Sequence, residues 1–171
     1  MQTYTTNSFE ETQKLGENLA KKILEPGVQK SAVVLGLQGN LGGGKTTFLQ
    51  GFAKGLGIDE KILSPTYVIQ KRFSLPSLRG HNNARSNPKA QIASSPEAPR
   101  NDDNFTNFYH IDCYRINKPE EILELGWKEI ILDPKNIVVV EWPEKIKKFL
   151  PKQTMFLDFK FVNETQREIS F

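Results

Sequence analysis

Apolar positions along the chain repeat with two periods, and the period in use changes several times. Leu15, Leu19 and Ile23 fall at i, i+4 and i+8, one face of a helix. Ser8 and Glu11 precede them as S-x-x-E, a capping box, and residues 25–27 (EPG) supply a stop. Residues 31–37 (SAVVLGL) are a continuous apolar run, as expected of a strand buried on both faces. Helical spacing returns over 46–56, where Phe48, Leu49, Phe52, Ala53 and Leu56 share a face and Gly57 follows as the stop. Strands are expected at 68–73, at 108–112 (FYHID) and at 137–141 (IVVVE). Between the last two, Pro119, Glu120 and Glu121 suit a first helical turn, with helix through Leu125 and a second short helix near 127–132. Residues 154–161 alternate, with Met155, Leu157, Phe159 and Phe161 on one face and Asp158 and Lys160 on the other; 166–171 can pair with them across Asn163 and Glu164.

Strands alternating with helices define an α/β fold with a largely parallel, doubly wound sheet, here ending in a C-terminal antiparallel hairpin. Ligands of such sheets bind beyond the C-terminal ends of the strands. Residues 74–104 interrupt the pattern: rich in Ser, Pro, Asn, Arg and Ala, they carry neither period. They read as a disordered surface insertion in a single domain spanning 1–171. Such an insertion is tolerated because loop closure costs only about 0.6 kcal/mol per doubling of length. The functional alternative is an RNA- or partner-contacting segment using Arg79, Arg85, Lys89 and Arg100, whose charge Glu97, Asp102 and Asp103 partly cancel.

Composition narrows the function classes. The chain has 171 residues, 37% of them hydrophobic, and a mean hydropathy of −0.48, which fits a soluble globular domain. No stretch approaches the roughly 20 apolar residues of a membrane span, and the N-terminus lacks the basic and apolar regions of a signal peptide. Cys113 is the only cysteine, so no intrachain disulfide or cysteine metal cluster can form, and a cytoplasmic location is expected. A net charge of +3 is too small to argue for nucleic-acid binding. Lys145, Lys147 and Lys148 read as a solvated helix face.

The chemistry concentrates at residues 39–46 (GNLGGGKT), which fit the Walker A phosphate loop G-x-x-x-x-G-K-[ST]. Side chains at Gly42, Gly43 or Gly44 would block the approach of backbone N–H groups to a phosphate chain. Lys45 can place its ammonium against the β- and γ-phosphates of ATP, and the Thr46 hydroxyl is the expected Mg²⁺ ligand. The run 137–140 ending in Glu141 has the form of a Walker B strand, so Glu141 is the expected Mg²⁺ acid. Asp112, ending another strand, is a candidate for orienting water or supporting the metal. Thr66, after Ser64 and Pro65, could sense the γ-phosphate. His110 reads as a packed strand residue rather than a ligand.

Other nucleotide-binding classes fit less well. Asn117–Glu120 (NKPE) comes close to the guanine-reading N-K-x-D but ends in Glu and precedes the last core strand. A transport ATPase needs a longer chain. A stand-alone P-loop small-molecule kinase remains as the alternative, with 74–104 as the available lid, and a nucleotide-dependent binding module without turnover is a third reading.

Three strings behind the phosphate loop, 64–67 (SPTY), 110–115 (HIDCYR) and 140–143 (VEWP), together resemble the TsaE (formerly YjeE) family, as does 119–126 (PEEILELG). The resemblance extends over nearly the whole chain outside the insertion. It implies a P-loop NTPase-like fold and an ATPase needed for threonylcarbamoyladenosine in tRNA, weak without partners. It also implies binding to the TsaB–TsaD pair, which ATP hydrolysis resets; tRNA is then contacted indirectly and no membrane is involved. By the same resemblance, the loop from Leu41 through Thr47 contacts nucleotide, Thr46 and Glu141 hold Mg²⁺, and Asp112 is a required aspartate. Thr66 is switch-like, Trp142 lies beside the nucleotide and Arg167 at its edge. Asn40 and Gly43 stand where the family often has an acid and an alanine, changes that leave phosphate binding intact.

Overall fold

A computed structural model describes residues 1–25, 27–60, 62, 69–76 and 105–171. Its strands are β1 (Thr3–Thr6), β2 (Val33–Gln38), β3 (Gln70–Ser74), β4 (Asn107–Asp112), β5 (Asn136–Glu141), β6 (Met155–Phe161) and β7 (Arg167–Ser170). Its α-helices are α1 (Phe9–Ile23), α2 (Lys45–Gly55) and α3 (Trp127–Leu132). The strands form one sheet in the order β1-β7-β6-β2-β5-β4-β3. The four strands from β6 to β4 are mutually parallel, while β3 and the β6–β7–β1 edge pair antiparallel. The phosphate loop thus leaves the central strand, β2.

The sheet buries both faces, which is why β2 and β5 read as unbroken apolar runs. Leu35, Leu37, Phe108, Ile137 and Val139 pack with Phe48, Phe52 and Leu19 of α2 and α1. Val34, Tyr109, Ile111, Val138 and Val140 pack on the other face with Ile122, Trp127, Ile130 and Ile146. Phe48, Leu49, Phe52, Ala53 and Leu56 are all buried, as their spacing predicts, and Gly57 adopts φ +78° just beyond the helix.

Several expectations shift. The buried residues of α1 are Thr12, Gly16, Leu19 and Ala20, while Leu15 and Ile23 only flank the core. The reason is a close backbone approach: a Cβ on Gly16 would lie 2.2 Å from the Phe48 carbonyl oxygen, so α2 packs over the glycine. The capping box is half formed. Ser8 Oγ accepts from Glu11 N, but the Glu11 carboxylate accepts from Asn7 N instead of from Ser8. Residues 119–125 make a 3₁₀ helix rather than an α-helix, and a second one, Pro143–Phe149, carries exposed Lys145, Lys147 and Lys148. Lys148 forms an ion pair with Glu120 of the first. Lys118 N donates to the Glu121 carboxylate, so the NKPE segment begins a 3₁₀ helix. Met155 and Phe161, at the ends of the alternating strand, are exposed because the helices cover only its middle. Strand β1 has no apolar run to mark it in the sequence; it forms by pairing with β7. Ser74 belongs to β3 and Leu75 packs against the core, so ordered structure claims the first residues of the segment 74–104, of which 77–104 lie outside the described residues.

Candidate functional site

Parallel pairing brings the chemistry together. In register, Leu37 of β2 lies beside Glu141 of β5, and Glu141 beside Asp112 of β4. Neighbouring strands are about 4.8 Å apart. The phosphate loop, Glu141 and Asp112 therefore share one edge of the sheet although they are widely separated in sequence.

The loop is built on glycine. Gly39 has φ +122°, and a Cβ there would lie 2.2 Å from the Phe159 carbonyl oxygen of β6. Gly44 has φ +98° and opens α2 with no side-chain cap and no acid in the first turn. The first helical N–H groups are thus left to an external acceptor, with the helix dipole behind them. Leu41 stands exposed at the loop, followed by Gly42 and Gly43, with Thr46 and Thr47 half-buried in the first turn of α2.

Lys45 is buried, and its Nζ donates to the carbonyls of Gly39 at 2.6 Å and Asn40 at 3.0 Å. Burial pulls its pKa below the ordinary lysine value, against the opposing pull of the Glu141, Glu144 and Asp112 carboxylates. The Trp142 ring centroid lies 4.5 Å from the same Nζ. Trp142 has φ 57°, the one positive φ among described non-glycine residues, and its N–H donates to the Leu37 carbonyl, tying the ends of β5 and β2 together. Strained backbone of this kind concentrates at functional sites. Arg167 reaches the loop from β7, its Nε donating to the Gly42 carbonyl at 3.1 Å. The Asp112 carboxylate accepts from Tyr114 N.

Of the residues expected from sequence, Leu41 through Thr47, Asp112, Glu141, Trp142 and Arg167 meet at this edge. Thr66 lies outside the described residues. Sequence reasoning missed two features. A cavity of about 300 Å³ opens beside Gly44 and Thr47, walled by Ser8, Phe9 and Glu10 at the start of α1 and by Glu164, Thr165 and Arg167 at the β6–β7 turn. Nothing in the local pattern marks those segments beyond the cap at Ser8. The second is His110, buried as expected for a packed residue, but with its Nε2 at 2.8 Å from Glu141 Oε1. A signal was present: His110 and Asp112 are two apart on one strand face.

The residues fit a nucleotide carrying Mg²⁺. The glycine cradle and uncapped helix suit phosphates, and the adjoining cavity has room beyond them. Among the described residues no group of three His, Cys, Asp or Glu could hold a metal unaided. Thr46, at the start of α2, and Glu141, at the end of β5, could contribute oxygens to a Mg²⁺ ion, with Asp112 beside Glu141. No helix among the described residues is long and apolar enough to cross a membrane.

A phosphate loop springing from the central strand of a parallel core is the arrangement of the P-loop NTPase fold, and the chain has that fold. Its sequence narrows the class. Residues 6–83 and 95–169 match the family described as threonylcarbamoyl adenosine biosynthesis protein TsaE, and the chain belongs to that family. Similar proteins named tRNA threonylcarbamoyladenosine biosynthesis protein TsaE include that of Bacillus subtilis, 32% identical over 83% of this chain and 70% of its own length. The Treponema pallidum protein of the same name is 29% identical over 96% of both chains. A crystal structure of YdiB from Bacillus subtilis superposes with a TM-score of 0.65 at 27% identity, covering 98% of this chain and 82% of that one.

Proposed function

We propose that the protein is a Mg²⁺-dependent ATPase serving threonylcarbamoyladenosine formation in tRNAs that read codons starting with A. The observation that carries this reading is the alignment of Lys45, Glu141 and Asp112 at one edge of three adjacent parallel strands. The N–H groups from Gly42 to Thr47 and the Lys45 ammonium bind the triphosphate, with Lys45 exchanging its loop carbonyls for phosphate oxygens. Thr46 and Glu141 would hold Mg²⁺, which would supply positive charge to offset that of the phosphates. Asp112 orients the attacking water. The cavity lined by Phe9, Thr47 and Arg167 takes the ribose and base, and Trp142 lies beside the nucleotide. Thr66 serves as a γ-phosphate switch.

The enzyme works on a partner complex in the cytoplasm. It binds TsaB–TsaD, and hydrolysis resets that complex between transfers, so tRNA is contacted only through the partners. A P-loop site gains rate when a partner orders a switch or supplies a positive charge. The test is ATP turnover by the purified protein alone and with the TsaB and TsaD proteins of the same organism. The expected result is slow turnover, raised by the pair and absent in Lys45→Ala. Turnover that ignores the pair but requires a small acceptor would replace this reading with a phosphotransferase. Tight nucleotide binding without turnover in any condition would replace it with a binding module.

A further inference from the structure

We propose that His110 is a positioning residue that holds the Glu141 carboxylate away from Lys45, keeping the acid for Mg²⁺ and the lysine for phosphate. This rests on the reading of Glu141 as the metal acid. The pairing of β4 with β5 sets His110 beside Val139, one side-chain step behind Glu141 on the same sheet face. From there Nε2 reaches forward to Glu141 Oε1 at 2.8 Å, with both side chains almost wholly buried, 1% and 4% exposed. A carboxylate can only accept, so the ring donates through Nε2–H. An apolar residue would satisfy the packing, since Phe108, Ile137 and Val139 on the same face are apolar. A buried imidazole is costly unless its polar edge is bonded, and here that bond goes to Glu141.

The need for such a restraint follows from the charges. The Glu141, Asp112 and Glu144 carboxylates all attract the Lys45 ammonium, and Glu141 ends the strand beside the one that leads into the lysine's loop. Left to rotate, the carboxylate would close on the ammonium, and each would occupy the other's functional group. Among the described residues the two form no ion pair. Lys45 donates to Gly39 and Asn40, and Glu141 accepts from His110. The buried ring fixes the carboxylate orientation before any metal arrives. Outer-shell partners of metal ligands commonly change metal affinity about 10–100-fold when removed.

The test is ADP binding by the full chain, titrated with Mg²⁺ from EDTA-treated protein, alongside thermal melts. His110→Leu should raise the Mg²⁺ concentration for half-maximal tightening about 10-fold. His110→Gln, which restores an N–H donor near the Nε2 position, should recover most of the shift. Glu141→Gln should abolish the Mg²⁺ response. A wild-type Mg²⁺ response in both His110 variants, with Glu141→Gln impaired, overturns the role of His110 alone. Equal impairment in the Leu and Gln variants also overturns it, because a packing defect then suffices. A wild-type Mg²⁺ response in Glu141→Gln overturns the metal assignment, and this inference with it.

Discussion

Gly51→Ala provides a test in which helix propensity and tertiary packing have opposite signs. In a helix interior, alanine is favoured over glycine by about 1 kcal/mol. Here a Cβ on Gly51 would sit 1.9 Å from the Gln13 carbonyl oxygen of α1, and real Cβ atoms essentially never come within 3.0 Å. The two backbones must separate locally by about 1.1 Å. Neither can yield by a rotamer change, and Phe48 and Phe52, fully buried on the same helix, would lose packing as it moved. Overpacking typically costs about 1–3 kcal/mol, and a contact with backbone belongs at the upper end. Net of the propensity gain, the variant should lose about 2 kcal/mol. That corresponds to a Tm lower by roughly 4–8 °C for a domain of this size. Because α2 begins at Lys45, nucleotide affinity should fall with it. Differential scanning calorimetry with and without ADP measures both. Gly27→Ala, whose Cβ would meet nothing closer than 3.9 Å, should stay within about 0.5 kcal/mol. A Gly51→Ala protein that melts at or above the wild-type temperature would refute the close-approach argument.

Lys45→Ala should weaken ADP binding roughly 10–100-fold through loss of a charged donor, measured by isothermal titration. Arg167→Ala removes the bond to the Gly42 carbonyl and one wall of the adjoining cavity. Affinity should fall about 5-fold, the worth of one hydrogen bond, and Tm should drop as well, because Nη1 also holds the Asn163 and Gln166 carbonyls; unchanged affinity would remove Arg167 from the site. Burial, then the charges of Asp112 and Glu144, raise the Cys113 pKa from 9.0 to about 12. The native state therefore keeps a proton that the unfolded state gives up. Stability is unaffected by this group below pH 9 and falls as pH rises above it. By pH 10 the wild type should lose about 1.4 kcal/mol relative to Cys113→Ala in urea melts; parallel pH profiles would contradict the burial argument. The native thiol should also resist iodoacetamide until the protein is unfolded.

The phosphate loop, the core strands and the helix that follows the loop are legible in the local sequence. Each is written in neighbouring residues: glycines at fixed offsets before Lys45 and Thr46, an apolar run before Glu141, helical spacing from Phe48 to Leu56. Local sterics and burial act over a few residues, so a local pattern suffices to read them. The same holds for the acids Asp112 and Glu141, each visible as the end of a strand. Other features depend on contacts between distant segments. Gly16 and Gly51 look like weak helix positions until α1 and α2 cross over them. Strand β1 is a polar stretch until β7 offers an unpaired edge. Arg167 meets a loop 125 residues away, and the segments at Ser8 and Thr165 become cavity walls only when brought beside Thr47. His110 reads as a packed strand residue, and only strand register shows that its polar edge points at Glu141. Burial pattern dictates which face a residue occupies, but which distant group waits on that face is set by how the elements pair and pack.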